Sequence, residues 1–212
     1  IPLRLPGCMT DTSLADMPAV IETHPLDPFL PPAARLLMLG SFPPPQTRWK
    51  MPFYYPNLQN DMWRIFGLIF FADRDHFLTA DGKGFREAEL RTFLAATGIA
   101  ISDTAQRVER LRGNAADQSL RILEPLNLAA LLDRLPACRA IITTGALATA
   151  TLLTQLPAKT AAPRIGAPAS TTFAARPLHL YRLPSSSRAY PLPLAQKAAA
   201  YRDCFAAEGL LA

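Results

Sequence analysis

The sequence predicts an α/β fold, a three-layer α/β/α sandwich around a central, mainly parallel sheet of four strands. Short apolar runs typical of buried strands alternate four times with helix-like segments, the pattern of a parallel sheet with helices on both faces. Half of the 212 residues are hydrophobic and 18% are charged, so the chain can bury a core. No apolar run reaches the roughly 18 residues that a membrane-spanning helix needs, so we expect a soluble protein that does not contact a membrane.

The chain before the first strand is predicted to be irregular. Residues 1–22 are interpreted as an N-terminal extension, partly disordered or foreign to the native protein, because the sequence lacks an initiating Met and Met9 is a plausible start. Residues 24–32 contain four prolines, which exclude a regular helix and indicate an extended arm leading into the fold. Residues 35–39 (RLLML) then form the first buried strand, which ends at Gly40.

Helix and strand signals follow one another from there to the end of the chain. Asn60 and Asp61 open the apolar segment MWRIFGLIFF, which predicts a helix of about ten residues. Further helices are predicted at 86–97, 127–135, 146–156 and 193–207, strands at 99–102, 140–144 and 178–183, and an irregular connection at 157–172.

The segments that follow the four predicted strands are the places to look for chemistry. They are residues 40–45, 102–106, 145–146 and 184–188. Ligands of open parallel sheets bind at the carboxyl ends of the strands, so we expect these segments to surround a binding crevice.

The first of these segments, GSFPPP, contains Gly40, Ser41, Phe42 and Pro43. It lacks the patterns GxxxxGK[ST] and GxGxxG of nucleotide phosphate loops, which argues against a nucleotide cofactor. Its prolines favour a rigid lip on which backbone groups face a flat ligand and Phe42 stacks on it. A plain turn at the end of a strand explains the same string.

Residues 48–64 (RWKMPFYYPNLQNDMWR) interleave aromatic side chains with Arg48, Lys50 and Arg64. Aromatic faces stack on unpaired bases while basic groups hold phosphates, so the pattern is typical of a protein that handles an extruded base. The formal net charge of +5 permits a polyanionic partner. Packing of these aromatics in the core explains the pattern equally well.

Polar residues at three further points have both a simple and a functional interpretation. Asn60 lies at a predicted helix cap, where an Asn side chain commonly accepts a backbone hydrogen bond. Asp103 and Thr104 follow the second strand, where a carboxylate would face the crevice unless it caps a turn. The loop PSSSR at 184–188 offers hydroxyl and N–H groups that suit phosphate oxygens, although such clusters are more often plain loops.

Cysteine and histidine spacing indicates neither a disulfide framework nor a metal site. Cys8, Cys138 and Cys204 are widely spaced and form no CxxC pair, which fits a protein of the reducing cytoplasm. The three histidines, His24, His76 and His179, are isolated from one another, and each is interpreted as a surface or core residue.

Taken together, these segments resemble the uracil-DNA glycosylase superfamily over residues 22–205. LLMLGSFPP resembles its first motif, a strand ending in Gly-x-x-Pro, and LPSSS resembles its second, a strand ending in x-Pro-Ser. ITTGALAT resembles the strand-then-helix unit between the two motifs. YYPNLQNDMW is most similar to the branch of hypoxanthine-DNA glycosylases and related bacterial proteins.

The resemblance implies that residues 23–212 form a single uracil-DNA glycosylase-like domain, a monomer that needs no cofactor and no metal. Its partner would be DNA containing deaminated bases, and its place would be base-excision repair. The activity would be hydrolysis of the N-glycosidic bond of a flipped-out uracil or hypoxanthine.

The resemblance also implies roles for individual residues. Asn60 matches the catalytic Asn of the hypoxanthine branch and would position water or contact the base, with Asp103 as the second candidate for handling water. Phe42 would stack on the base, Tyr55 would shape the pocket wall, and Gly40, Ser41 and Pro43 would complete the base-binding site. DNA contacts would come from Arg48, Lys50, Ser185, Ser186, Ser187 and Arg188, with Arg188 or Tyr190 probing the gap left in the helix.

The sequence also departs from the superfamily. Ser41 and Phe42 stand where many relatives have an Asp or Asn that handles water, and Leu183 stands where several have a His that stabilises the departing base. These departures leave two alternatives open. One is a non-catalytic nucleic-acid-binding module on the same fold, and the other is a small-molecule nucleoside hydrolase that uses the same crevice.

Overall fold

A five-stranded sheet forms the centre of the computed structural model, which describes residues 19–111 and 116–211. The strands are β1 (Val20–Thr23), β2 (Leu36–Gly40), β3 (Ile99–Asp103), β4 (Ala105–Arg110), β5 (Leu120–Pro125), β6 (Ala140–Thr144), β7 (Ala169–Phe173) and β8 (Arg176–Leu183). The helices are α1 (Met62–Phe71), α2 (Glu87–Thr97), α3 (Leu128–Asp133), α4 (Ala146–Leu153) and α5 (Leu194–Ala207).

The strand order of the central sheet is β3-β2-β6-β8-β7. The first four strands are parallel to their neighbours, and they are the four strands that the sequence predicts. The edge strand β7 runs antiparallel to β8. It lies partly within the predicted connection 157–172, because three of its five residues, Ser170, Thr171 and Thr172, are polar and form no continuous apolar run.

Two apolar clusters cover the two faces of the sheet and give the predicted three layers. Alternate strand residues such as Met38 and Ile101 pack against α1, α2 and α5 on one face. Their neighbours, such as Leu37 and Ala100, pack against α3 and α4 on the other face. The α/β fold predicted from the sequence is therefore confirmed, with one strand more than expected.

A second, smaller sheet was not predicted. Its order is β1-β4-β5, and all its pairs are antiparallel. These strands carry many charged, exposed residues and so resemble loops in the sequence. Val20–Glu22 of β1 fall inside the predicted extension 1–22 and pair with β4, so this part of it belongs to the fold, whereas residues 1–18 lie outside the described residues.

A hydrogen-bonded cluster fastens α5 to the edge of the sheet at which the parallel strands begin. The buried carboxylate of Glu208 accepts hydrogen bonds from Tyr181, His179 and Arg139 at 2.7, 2.8 and 3.2 Å. Burial would raise the pKa of Glu208, but these hydrogen bonds outweigh it and lower the pKa. No helix in the described parts of the chain is long and apolar enough to cross a membrane.

Candidate active site

A cleft of about 500 Å³ opens at the carboxyl ends of the parallel strands. The register brings Gly40 of β2 beside Asp103 of β3, while Thr144 of β6 pairs with Leu183 of β8. The segments that follow these strands therefore meet at one edge of the sheet, as the sequence predicts. The residues that line the cleft include Gly40, Ser41, Tyr55, Asn60, Asp103, Asp117, Thr144 and part of the loop 184–188.

Gly40 and Asp103 are in tight contact at the base of this cleft. A Cβ atom on Gly40 would lie 2.3 Å from Oδ1 of Asp103, so only glycine leaves room for the carboxylate in its present position. Asp103 is buried and is the last residue of β3. It caps no helix, and its carboxylate is one of the groups that line the cleft.

The other oxygen of this carboxylate is held by His24 of the arm, residues 24–32. His24 Nε2 lies 2.9 Å from Asp103 Oδ2, and both side chains are buried. Burial would lower the pKa of His24, but the hydrogen bond and the negative charge of Asp103 outweigh it and raise the pKa. The sequence interpretation of His24 as an ordinary surface or core residue missed this contact.

Asn60 lines the cleft and lies one position before Asp61, which is the N-cap of α1, so the predicted cap is displaced by one residue. Asn60 Oδ1 accepts a hydrogen bond from the backbone N–H of Met62 at 2.9 Å, which fixes the orientation of the amide. Its backbone pairs with Ser187 in an isolated bridge. Among the described residues no hydrogen bond is made by Nδ2, so the NH2 group of Asn60 remains available as a donor.

Tyr55 and Thr144 line a neighbouring part of the cleft. The Tyr55 hydroxyl is 3.1 Å from Thr144 Oγ1, and Tyr55 has a φ of 51°, a left-handed conformation that non-glycine residues rarely adopt. Burial, followed by the charge of Asp103, raises the pKa of Tyr55 far above its usual value. This hydroxyl is therefore a neutral hydrogen-bonding group in the cleft.

A second carboxylate enters the cleft from the segment before β5. Asp117 Oδ1 accepts a hydrogen bond from Ser41 Oγ at 2.6 Å. Burial raises the pKa of Asp117, the Ser41 hydrogen bond opposes this rise, and the negative charge of Asp103 adds to it. Among the described residues, the carboxylates that line the cleft are thus Asp103, which has a histidine partner, and Asp117, which has a serine partner.

The loop 184–188 is fixed by the buried ion pair of Lys197 and Asp61. Lys197 of α5 is 1% exposed, donates to the Ser187 carbonyl at 2.7 Å and lies 3.4 Å from Asp61 Oδ2. Arg188 contacts the other Asp61 oxygen at 3.0 Å, and Asp61 N donates to the Ser186 carbonyl. The loop that was expected to contact DNA is therefore fixed against the start of α1.

Most of the residues predicted from the sequence come together in this cleft. Lys50, Arg64 and Tyr190 are the exceptions, because none of them lines the cleft: Lys50 and Tyr190 are exposed outside it, and Arg64 is buried. Phe42 lines it with only 8% of its surface exposed, since its ring packs edge-on against His24 at 5.2 Å and against the small cluster around Val108. A broad stacking face at Phe42 is therefore less accessible than the sequence suggested.

Three residues at the cleft were not predicted from the sequence: His24, Asp117 and Thr144. Thr144 ends β6 and could have been found from the rule that strand ends face the crevice. His24 and Asp117 approach from the arm and from the segment leading into β5, and neither position carries a local pattern that predicts this. No group of three or more His, Cys, Asp or Glu side chains in the described ranges could hold a metal ion.

The fold is similar to a solution NMR structure from Methanosarcina acetivorans that is described as a "putative Uracil DNA glycosylase". The TM-score is 0.56 and 21% of the aligned residues are identical, over 87% of this chain and 98% of that chain. No family model matches the sequence. A search of curated proteins finds no match either. At this identity the similarity establishes a shared uracil-DNA glycosylase-like fold, and the chemistry has to be argued from the cleft itself.

Proposed function

We propose that this protein is a DNA glycosylase that hydrolyses the N-glycosidic bond of a flipped-out deaminated base, uracil or hypoxanthine. The observation that carries the proposal is the convergence of the Asn60 amide and the Asp103 carboxylate on one cleft at the carboxyl ends of the parallel strands. The shared fold supports it independently. In such a reaction the C1′–N bond breaks with its electron pair leaving on the base, and the oxygen of a water molecule bonds to C1′.

Asn60 is assigned to the departing base. Because its Oδ1 is engaged by Met62, the group that it offers to a ligand is the Nδ2 donor. A fixed donor stabilises the negative charge that develops on the leaving base, an effect worth several kcal/mol in a pocket shielded from water. An amide is too weakly basic to remove a proton from water at neutral pH, so this role suits Asn60 better than that of general base.

Asp103 is assigned to the attacking water. An ionised carboxylate accepts a proton from water as the C1′–O bond forms, and it also stabilises the positive charge that develops on the sugar. Oδ2 of Asp103 is occupied by His24, so Oδ1, above Gly40, is the oxygen assigned to this task. Asp103 would thus take the role of the water-handling Asp or Asn that many relatives have at the positions of Ser41 and Phe42.

DNA is assigned to the rim of the cleft. The exposed Arg48 and the partly exposed Arg188 line it together with the half-buried Ser185 and Ser187, whereas Ser186, which was also predicted to contact DNA, is buried. Such side chains and loop N–H groups hold phosphate oxygens, which positions the strand without reading its sequence. Lys50 lies outside the cleft and would contact DNA only beyond the rim.

The decisive assay measures abasic-site formation on oligonucleotides that contain uracil, hypoxanthine or xanthine, in single and double strands. We expect Asn60→Ala to lower the single-turnover rate about 100- to 1000-fold, and Asp103→Asn to lower it at least about 100-fold. Asp133→Asn, an exposed carboxylate in α3, is the matched control and should excise at the wild-type rate. Wild-type rates in both Asn60→Ala and Asp103→Asn would refute the assignment.

The same assay separates the alternatives. Salt-dependent DNA affinity without any abasic product would identify a non-catalytic binding module. Turnover of free nucleosides without affinity for DNA would identify a nucleoside hydrolase. A higher rate on hypoxanthine than on uracil would support the hypoxanthine-type branch suggested by YYPNLQNDMW.

A further inference from the structure

We infer that His24 is a positioning residue for Asp103: as an imidazolium it holds one carboxylate oxygen, so that the other faces the cleft. The pairing itself is a property of the structure. Its catalytic consequence rests on the proposed function.

The arm is fixed to the end of β3 on both sides of the histidine contact. His24 N donates to the Gln106 carbonyl at 2.8 Å, just beyond Asp103. Further along the arm, Phe29 and Ile101 exchange two backbone hydrogen bonds of 2.9 Å, just before Asp103. The imidazole is therefore placed beside the carboxylate by main-chain bonds and not only by its own side-chain torsions.

Both ring nitrogens of His24 face oxygen atoms. Nε2 lies 2.9 Å from Asp103 Oδ2, and Nδ1 lies 2.9 Å from the Leu26 carbonyl oxygen. Two oxygen acceptors require two N–H donors, and only the protonated ring has both. The Leu26 N–H lies farther from Nδ1, at 3.2 Å, and is the contact that a neutral ring would accept. The shorter contact to the carbonyl favours the imidazolium.

Two aromatic rings pack against the His24 imidazole, and the carboxylate of Asp103 faces it. Phe42 packs edge-on against it, and the Tyr54 ring lies roughly parallel at a centroid distance of 6.0 Å. Burial and then the charge of Asp103 raise the pKa of Tyr54 far above its usual value, so this phenol is neutral, like that of Tyr55.

Three further charged groups lie around the ring and its neighbours, Asp27, Asp117 and Arg110. Asp27 is linked to Tyr54 through its backbone carbonyl, and its carboxylate acts on that phenol only through its charge. Asp117 interacts electrostatically with Asp103, and Arg110 lies beyond the Phe42 ring.

The contact with His24 at Oδ2 also fixes the position of Oδ1, the other oxygen of Asp103. Without its partner the carboxylate could rotate about its χ angles, and Oδ1 would lose its defined position above Gly40. A hydrogen bond to a charged group is one of the stronger contacts in a protein. Removing the donor while keeping an aromatic ring should therefore affect the chemical step more than DNA binding.

The pairing is tested first without any reference to catalysis. NMR titration of the histidine side chains in the wild-type protein and in Asp103→Asn reports the pKa of His24 directly. We expect this pKa to lie above the ordinary value of 6.5 in the wild type and to fall in Asp103→Asn, where the negative charge is lost. A wild-type value at or below 6.5, or one unchanged by Asp103→Asn, overturns the inference.

The positioning role is tested by comparing His24→Phe with His24→Gln. Phe keeps a ring against Phe42 and Tyr54 but has no donor, and we expect single-turnover excision to fall about 10- to 100-fold with little change in DNA affinity. Gln offers an amide N–H toward Asp103 and should restore most of the rate, without the pH dependence that titration of an imidazole causes. Wild-type rates in His24→Phe would overturn the positioning role of His24.

The two tests also separate this inference from the proposed function. A wild-type protein that excises no base would refute the proposed function, whereas the NMR titration would still decide whether His24 and Asp103 are paired.

Discussion

Gly40→Ala is the substitution for which the structure makes the sharpest prediction. The backbone of Gly40 is not left-handed, so an L-residue is compatible with its conformation. The added Cβ would nevertheless lie 2.3 Å from Asp103 Oδ1 and 3.2 Å from the Tyr55 hydroxyl. The first distance is about 1 Å short of ordinary van der Waals contact, which starts at 3.4 Å, so the carboxylate has to move.

The loss of stability in Gly40→Ala depends on how firmly the Asp103 carboxylate is held. Asp103 is buried and hydrogen-bonded to His24, so it cannot swing into solvent as a flexible surface side chain would. Overpacking of this kind costs about 1–3 kcal/mol. In a chain of this size about 1 kcal/mol lowers the melting temperature by roughly 2–4 °C, so we expect a decrease of about 2–12 °C. Excision should fall by at least as much as in His24→Phe, because the same oxygen is displaced.

Thermal unfolding followed by circular dichroism measures the effect, with Gly84→Ala as the matched control. The nearest atoms to a Cβ on Gly84 lie at 3.6 Å, an ordinary contact, so that variant should melt close to the wild type. The Asp103→Ala background removes the obstacle, and there the penalty of Gly40→Ala should largely disappear. A penalty of equal size in both backgrounds, or none in either, would refute the steric argument.

Three further predictions concern stability and reactivity. Lys197→Met removes the buried cation from Asp61, which keeps its contact with Arg188, and leaves the Ser187 carbonyl without the lysine donor, so it should cost about 1–3 kcal/mol in urea unfolding. The exposed Lys159→Met should cost almost nothing, and equal effects would contradict the ion pair. Glu208 has a lowered pKa in the folded state, so its contribution to stability is present above its unfolded pKa, near 4.5, and is lost as the pH falls through the folded pKa. The melting temperature of the wild type should therefore exceed that of Glu208→Gln at neutral pH and approach it in acid, and a constant gap would argue against this. Burial raises the pKa of Cys138 to about 11, so peptide mapping after brief iodoacetamide treatment should find this thiol unmodified in the native protein and modified only after unfolding.

The parallel strands β2, β3 and β6 were predictable from the sequence because each begins with a continuous apolar run. Residues 35–39 and 140–144 have no polar alternation, and such runs between helices indicate parallel strands that are buried on both faces. The helix start at Asn60 and Asp61 was equally visible, since polar residues precede a run of apolar ones. From the strands alone the crevice could be placed at their carboxyl ends.

The second sheet and the His24 partner of Asp103 could not be predicted in this way. β4 and β5 derive their order from pairing with each other, and no local pattern distinguishes their charged residues from a solvated loop. His24 lies 79 positions before Asp103, and only the path of the arm brings the two together. The role of Lys197 was hidden for a similar reason, because a lysine on an amphipathic helix is normally exposed.

Most of the buried charged side chains of the described chain lie near the cleft. A buried ion pair is usually no more stabilising than apolar residues of the same volume, so stability alone does not explain such pairs. Lys197 holds the Ser187 carbonyl, Arg110 holds that of Pro43, and Arg64 holds that of Leu58. Each of these carbonyls lies in or beside a segment that lines the cleft, as does the His24–Asp103 pair, whereas the Glu208 cluster lies at the opposite edge of the sheet. The described chain buries charged side chains mainly where they hold the segments around the cleft, which is expected if the positions of the cleft walls matter more than the stability that apolar packing would add.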